Sequence, residues 1–390
     1  MIADRKWVER NLGFDPISTP PPAAAFTVKT VAASAVKRSA KVAPEDFQRE
    51  IIDFDSEAPE GREFVAFSTA TGLSRFTDIP WPKGLAPQTG PKPKGTGNGP
   101  LPKADVLVVT WTVDEGHALS RVLTPGKDSR NDYVSYTHNF ATLSKKFRKG
   151  APALQAKRLG AYWTTKIGKK SVVVFKSDSH MSQDGPQLPN IDVWRQIIQE
   201  VKPKLVITTG TAGGIGKLVE VGDVVVSPVV RFDCTSKFKK QPFAMAHYTS
   251  SPAKSSKFAV AKGLFKANSA QLPKDNTRPP KIIKVAPADL KSSVVTTDLF
   301  GFDTSDNHYK LQGLGDVSEM GDAILGLVAK DMSKSAPRWL AIRNVSDPQI
   351  KAEGTLRQQA QVAATIYKGY GRWSSVCSAI TCWASIVAEP

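Results

Sequence analysis

Cysteine is scarce: Cys234, Cys377 and Cys382 are the only three in a chain of 390 residues. An odd number at wide spacing excludes a closed disulfide framework, so reduced, buried thiols are expected. Histidine is almost as rare, with five scattered residues and no His-Glu-x-x-His or comparable ligand spacing. No metal site and no cofactor are therefore expected. No apolar run approaches the roughly 18–20 residues that span a bilayer. Nothing apolar follows Met1-Ile2-Ala3-Asp4-Arg5-Lys6 as a secretory signal would. These absences lead to the expectation of a cytoplasmic chain with no membrane contact.

Acidic residues are also in short supply, 36 against 53 Lys and Arg, for a formal net charge of +17. The excess is not spread evenly. Residues 1–100 hold 13 basic and 12 acidic side chains, whereas residues 145–170 hold nine basic and no acidic ones. Residues 237–284 add eleven basic residues against Asp275 alone. A solvated, solubilising surface explains such segments. An electropositive rim for a nucleotide, a nucleic acid or another anionic partner is the sharper alternative and ranks second to that plain surface; charge by itself does not separate the two.

What is present falls into two parts. Residues 1–100 carry Pro20-Pro21-Pro22 and, near their end, Pro91-Lys92-Pro93-Lys94-Gly95, with no apolar periodicity. They read as an extension, wrapping or linker-like, with a short helix at Glu45–Ile52 and a short strand at Phe64–Phe67. From residue 101 to 390 the pattern is strand, loop, helix, repeated. Apolar strands are expected at Asp105–Thr110, Ser171–Phe175, Leu205–Thr208, Asp223–Val226 and Trp339–Arg343, and an amphipathic helix at Ile191–Val201. Fully apolar strands between helices predict a sheet covered on both faces, an α/β/α sandwich. A Lys-rich insertion is expected near 250–285, and a C-terminal helical region at 356–387 interrupted near Gly369 and Gly371.

Four segments carry chemistry. Thr208-Thr209-Gly210-Thr211-Ala212-Gly213-Gly214 follows a strand, and its glycines let a ligand approach the backbone, although a tight strand-to-helix turn has the same composition. Ile342-Arg343-Asn344-Val345-Ser346-Asp347 ends in a carboxyl at a strand mouth, placed either to hand over a proton or to cap a helix. Thr110 to Leu119 contains the adjacent acids Asp114-Glu115, and on its position alone Glu115 reads as a first-turn helix acid stabilised by the dipole. The fourth runs from Thr296-Thr297-Asp298-Leu299-Phe300-Gly301 to Ser318-Glu319-Met320-Gly321-Asp322-Ala323.

In this order the four segments resemble the nucleoside phosphorylase and purine nucleosidase superfamily, most of all its methylthioadenosine/S-adenosylhomocysteine nucleosidase branch. The resemblance spans roughly residues 104–370. It implies a nucleoside phosphorylase-like three-layer α/β/α sandwich around a central mixed sheet, and an N-glycosyl hydrolase or pentosyltransferase acting on a purine nucleoside or nucleotide. It further implies Asp347 as the acid that protonates the purine, Glu115 as the base that primes water, and a pocket lined by Thr211, Ala212, Gly213, Phe300, Gly301, Glu319 and Met320. The family's sugar-binding glutamate is replaced by Gly321. Glu319 or Asp322 is the candidate substitute, and the change leaves open a modified or 2′-deoxy sugar, a nucleotide, or a lost activity. His180 is a candidate pocket residue, although a lone loop histidine is usually surface. Hydrolysis is favoured over use of phosphate because Thr208 and Thr209 stand where phosphorylases keep a basic ligand. Phosphorolysis and a non-catalytic nucleotide-sensing module are the alternatives, and a homo-oligomer is implied by resemblance only.

Overall fold

The computed structural model describes residues 79–94, 97–267, 276–299, 304–352 and 354–390. The helix expected at 45–52 and the strand expected at 64–67 lie outside the described residues. Thirteen strands are present among the described residues: β1 (Gln88–Thr89), β2 (Val106–Thr110), β3 (Val134–Tyr136), β4 (Gly160–Ile167), β5 (Lys170–Ser177), β6 (Leu205–Gly214), β7 (Val224–Ser227), β8 (Val229–Asp233), β9 (His247–Thr249), β10 (Ile282–Lys284), β11 (Val294–Thr297), β12 (Val317–Glu319) and β13 (Arg338–Asp347). The principal helices are α1 (Val113–Leu123), α2 (Pro189–Val201), α3 (Phe258–Ala267), α4 (Asp322–Met332) and α5 (Leu356–Ala388).

Strand β2 shows why the sheet must be covered twice. Side chains alternate faces along a strand, and here both faces are apolar. Val106 and Val108 pack with Leu119 of α1 and Ile380 and Trp383 of α5. Leu107 and Val109 pack with Trp194 and Ile197 of α2 on the other side. The result is helix, mixed sheet, helix. Strands β5, β2, β6 and β13 run parallel, while β4 runs antiparallel to β5, and β12 runs antiparallel to β6 but parallel to β11.

The Gly-rich string is strand where a turn was the alternative. β6 continues to Gly214 because β13 pairs with it in parallel from Leu205 to Gly213. That pairing brings Asp347 beside Gly213, with a register shift between Val345 and Asp347. Gly210 is forced by a long-range contact. Its φ is +150°, and a Cβ there would lie 2.3 Å from Oε1 of Glu115. Gly210→Ala is expected to lower stability by about 1–3 kcal/mol, read as a fall in thermal midpoint; an unchanged midpoint would show that the carboxylate yields.

The C-terminal region differs from expectation in another way: α5 is one helix through both glycines. Its start is fixed by a capping box, Thr355 with Gln358. A helical glycine costs about 1 kcal/mol against alanine, less than the roughly 1.5–3 kcal/mol gained by burying one large apolar side chain, and Trp373, Val376, Ile380, Trp383 and Ile386 are all buried. Gly371 also makes room for the Tyr367 ring, 3.2 Å from where its Cβ would stand.

Residues 79–90 lie on the domain as a strap. Trp81 meets Trp383 at 4.8 Å between ring centroids, Trp383 Nε1 donates to the Leu85 carbonyl, and β1 pairs with β4. Parts of the Lys-rich 250–285 segment are integral to the fold, since α3 packs with α5 in one apolar cluster and β10 pairs with β7. Within the basic 145–170 segment, Arg158 is buried and donates to Asp178, whose other oxygen pairs with Lys176.

Candidate active site

The ends of β2, β6, β12 and β13 converge on one pocket, roofed by Ala363 and Tyr367 of α5. Its lining includes Glu115, Thr211, Ala212, Gly213, Glu319, Met320 and Asp347. Residues separated by more than two hundred positions are thus brought together. Phe300 and Gly301 lie outside the described residues. Asp322 is not in the lining; it is 1% exposed and lies behind the wall.

Asp347 ends β13 and does not cap a helix, because the cap of α5 is Thr355. The residue is 9% exposed; its carboxyl accepts a hydrogen bond from Ser346 Oγ at 2.8 Å and lies against the α-carbon of Gly213. Burial pushes its pKa up to about 6, against the opposing pull of the Ser346 hydroxyl. A carboxylic acid poised near neutrality is a competent proton donor.

Glu115 is the first-turn helix acid that its position suggests. It is residue N3 of α1 and forms a capping box with Thr112. It also faces the pocket. Oε2 accepts from Thr110 Oγ1, Trp111 N and Thr112 N, and Oε1 accepts from the amide and hydroxyl of Thr211 at 2.8 Å. Thr211, expected to touch substrate, therefore also holds Glu115 across 96 residues of sequence.

Arg343 is the residue that sequence reading quoted without assigning a role. It is 2% exposed at the centre of the site. Nε donates to Asp322 Oδ2 at 2.7 Å and Nη2 to Asp322 Oδ1; Nη2 also reaches Glu319 Oε2 at 3.4 Å, and Nη1 stands 3.8 Å from Glu115 Oε1. Its Cζ lies 4.8 Å from the Trp111 ring centroid. A charged residue inside the apolar run Leu340–Val345 was the signal that could have found it. Glu319 is spent on α4: it accepts from the amides of Gly321 and Asp322 and from Thr296 Oγ1. Burial and the neighbouring Asp322 push the Glu319 carboxyl upward, while Arg343 pulls it down.

His180 is buried and lines the pocket, contrary to the usual surface placement of a loop histidine. Burial, helped by Arg343, Lys237 and Lys176, pushes its pKa down to about 3, so the imidazole is neutral. Tyr367 and Trp111 complete the wall; neither carried a sequence signal beyond being aromatic. Among the described residues, no group of three or more His, Cys, Asp and Glu could hold a metal ion, and no helix is long and apolar enough to cross a membrane.

A mixed sheet covered on both faces thus carries, at one end of its strands, a pocket that brings the buried carboxyls of Asp347 and Glu115 together. Residues 135–370 match the phosphorylase superfamily, and the chain belongs to that family. Glycosidic-bond cleavage is the chemistry that membership assigns. The chain is similar to a 5′-methylthioadenosine/S-adenosylhomocysteine nucleosidase from Neisseria meningitidis, at 16% identity over 73% of this chain and 99% of that one, with a TM-score of 0.43. It is also similar to the futalosine hydrolase of Helicobacter pylori, at 12% identity over 73% and 97%, with a TM-score of 0.44. No curated protein matches it.

Proposed function

We propose that this protein is a nucleosidase: it hydrolyses the N-glycosidic bond of a purine nucleoside or nucleotide, with Asp347 as the acid and Glu115 on the water side. The observation that carries this is Asp347, a buried carboxyl raised to about 6 within a pocket that also contains Glu115. Proton transfer to the departing purine makes it a neutral leaving group, and the oxocarbenium-like sugar left behind is favoured by surrounding carboxylates. Hydrolysis is preferred over phosphorolysis because, among the described residues, the one guanidinium in the lining is engaged by Asp322 and Glu319. A phosphate ion needs an uncommitted cationic partner. The carboxylates around it repel an anion.

Base release from a panel of purine nucleosides and nucleotides, read by chromatography with and without phosphate, tests this. Free base is expected without phosphate and at the same rate with it. Strict dependence on phosphate would replace hydrolysis by phosphorolysis, and binding without release would indicate a sensing module.

A further inference from the structure

The pocket makes no use of the Lys-rich insertion, yet the fold gathers the lysines of that segment on one face. Ser255 Oγ accepts from Lys284 Nζ at 3.4 Å, which brings the end of β10 beside Lys254 and Lys257, just ahead of α3. Ile282 packs into the apolar cluster that α3 shares with α5, and Lys284, two residues on, stands on the same side of β10. On α3, Phe258, Ala261, Leu264 and Phe265 are buried in that cluster, while Ala259, Lys262, Gly263 and Lys266 are exposed. Lys262 and Lys266 lie about 6 Å apart along the helix axis. Elsewhere, surface lysines meet aspartates: Lys127 with Asp132, Lys146 with Asp192 and Lys204 with Asp105. Among the described residues, Lys254, Lys257, Lys262 and Lys284 pair with no carboxylate. The chain has no acidic residue at all between Asp233 and Asp275. A surface built only for solubility intersperses both signs, whereas a field of one sign steers an oppositely charged partner.

We propose that the face formed by Lys254, Lys257, Lys262 and Lys284 binds the phosphate backbone of duplex DNA without reading its sequence. Charge complementarity supplies the attraction, and each lysine that neutralises a phosphate releases condensed counterions. The remaining surface selects among anions. The large apolar side chains of α3 are spent on α5, so none is left to enter a bilayer as an interfacial helix does, or to anchor a protein partner. Among the described residues, the exposed large hydrophobics are Leu218, Met245 and Leu290, all outside this face. No aromatic side chain is exposed on α3 to stack a base, as binding of a single strand requires. Lysines only donate, which suits phosphate oxygens and gives no acceptor for the 2′-hydroxyls that an RNA duplex adds. Ala259 and Gly263 keep the helix surface low between the lysines, and a Cβ at Gly263 would meet nothing within 4 Å. A phosphate strand can therefore come close to the helix.

The test uses the full chain and a fluorescently labelled DNA duplex of mixed sequence, with affinity read by anisotropy across a salt series. Four phosphates at about −0.9 each give a slope of log K against log salt of about −3 to −4, and roughly a hundredfold loss of affinity between about 50 and 200 mM salt. Replacing Lys254, Lys257, Lys262 and Lys284 together by alanine is expected to flatten that slope by about 3 or more, with an unchanged thermal midpoint. If the fourfold variant does not fold, Lys262→Ala with Lys284→Ala should still flatten it by about 2. A control variant removes four lysines of the other basic segment, Lys145, Lys149, Lys166 and Lys169, and should leave the slope as it was. Absence of salt-dependent binding overturns the proposal, as does an unchanged slope in the folded insertion variants. An equal loss in the control variant also overturns it, because net charge would then be the cause. Tighter binding of an RNA duplex, a single strand, polyglutamate or anionic phospholipid vesicles would assign the face to that partner instead.

Discussion

Asp347→Asn is expected to lower base release by roughly 10²–10⁴-fold and, at the same time, to make the protein more stable at pH 8. Both effects come from one cause. Burial raises the carboxyl from its ordinary 3.8 to about 6. A group whose folded pKa is raised contributes its stabilisation fully below the unfolded value and loses it as pH rises through the folded value. Above pH 6 the ionised Asp347 therefore costs on the order of 2–3 kcal/mol. Asparagine keeps the shape and the Ser346 contact and removes that cost, but it has no acidic proton to give. Thermal midpoints of the two proteins should coincide near pH 3.5 and separate at pH 8. In wild type, kcat/KM should fall as pH rises through about 6, since the acid must be protonated in the free enzyme. A variant that keeps full turnover would remove Asp347 from the chemistry; one no more stable at pH 8 would show that the carboxyl is better solvated than its burial implies.

Arg343→Met is expected to destabilise the fold by about 3–5 kcal/mol. The guanidinium is the partner of buried Asp322 and Glu319 and stands 3.8 Å from Glu115, so its loss leaves three carboxylates without a counter-ion. Denaturant unfolding should show a large fall in midpoint with little change in slope. The damage should shrink as pH drops and the stranded carboxylates take up protons. Adding Asp322→Leu to Arg343→Met should recover part of the loss, because it removes the closest stranded charge; a strictly additive double variant would show that the pair is not coupled. A fall below about 1 kcal/mol, the range of an exposed ion pair, would mean that water reaches the cluster.

Much of this was legible along the chain. β2, β5 and β13 could be located because they hold continuous apolar runs such as Val106–Val109, which only a strand covered on both faces tolerates. Helix α2 showed itself by apolar spacing ahead of Pro203. Asp347, Glu115 and the Thr211–Gly213 string were read from short patterns, and the structure places all of them in one pocket. Elsewhere local pattern misled. Gly210, Gly213 and Gly214 suggested a turn and lie in β6, because the β13 ladder extends the strand. Gly369 and Gly371 suggested a break and lie within α5, because the packing of Trp373 and Ile380 outweighs their helix cost.

By itself, the sequence determined the layered α/β/α architecture, since periodicity is local and survives without knowledge of partners, and its ordered motifs carried the resemblance that singled out Asp347. Only the tertiary structure decided what the charges are for. That Arg343 neutralises Asp322, that Glu115 is held by Thr211, that Glu319 is spent on α4 and that His180 is buried and neutral all depend on distances between residues remote in the chain. Burial sets the cost of a charge and proximity sets its compensation, and neither is a property of a residue taken alone.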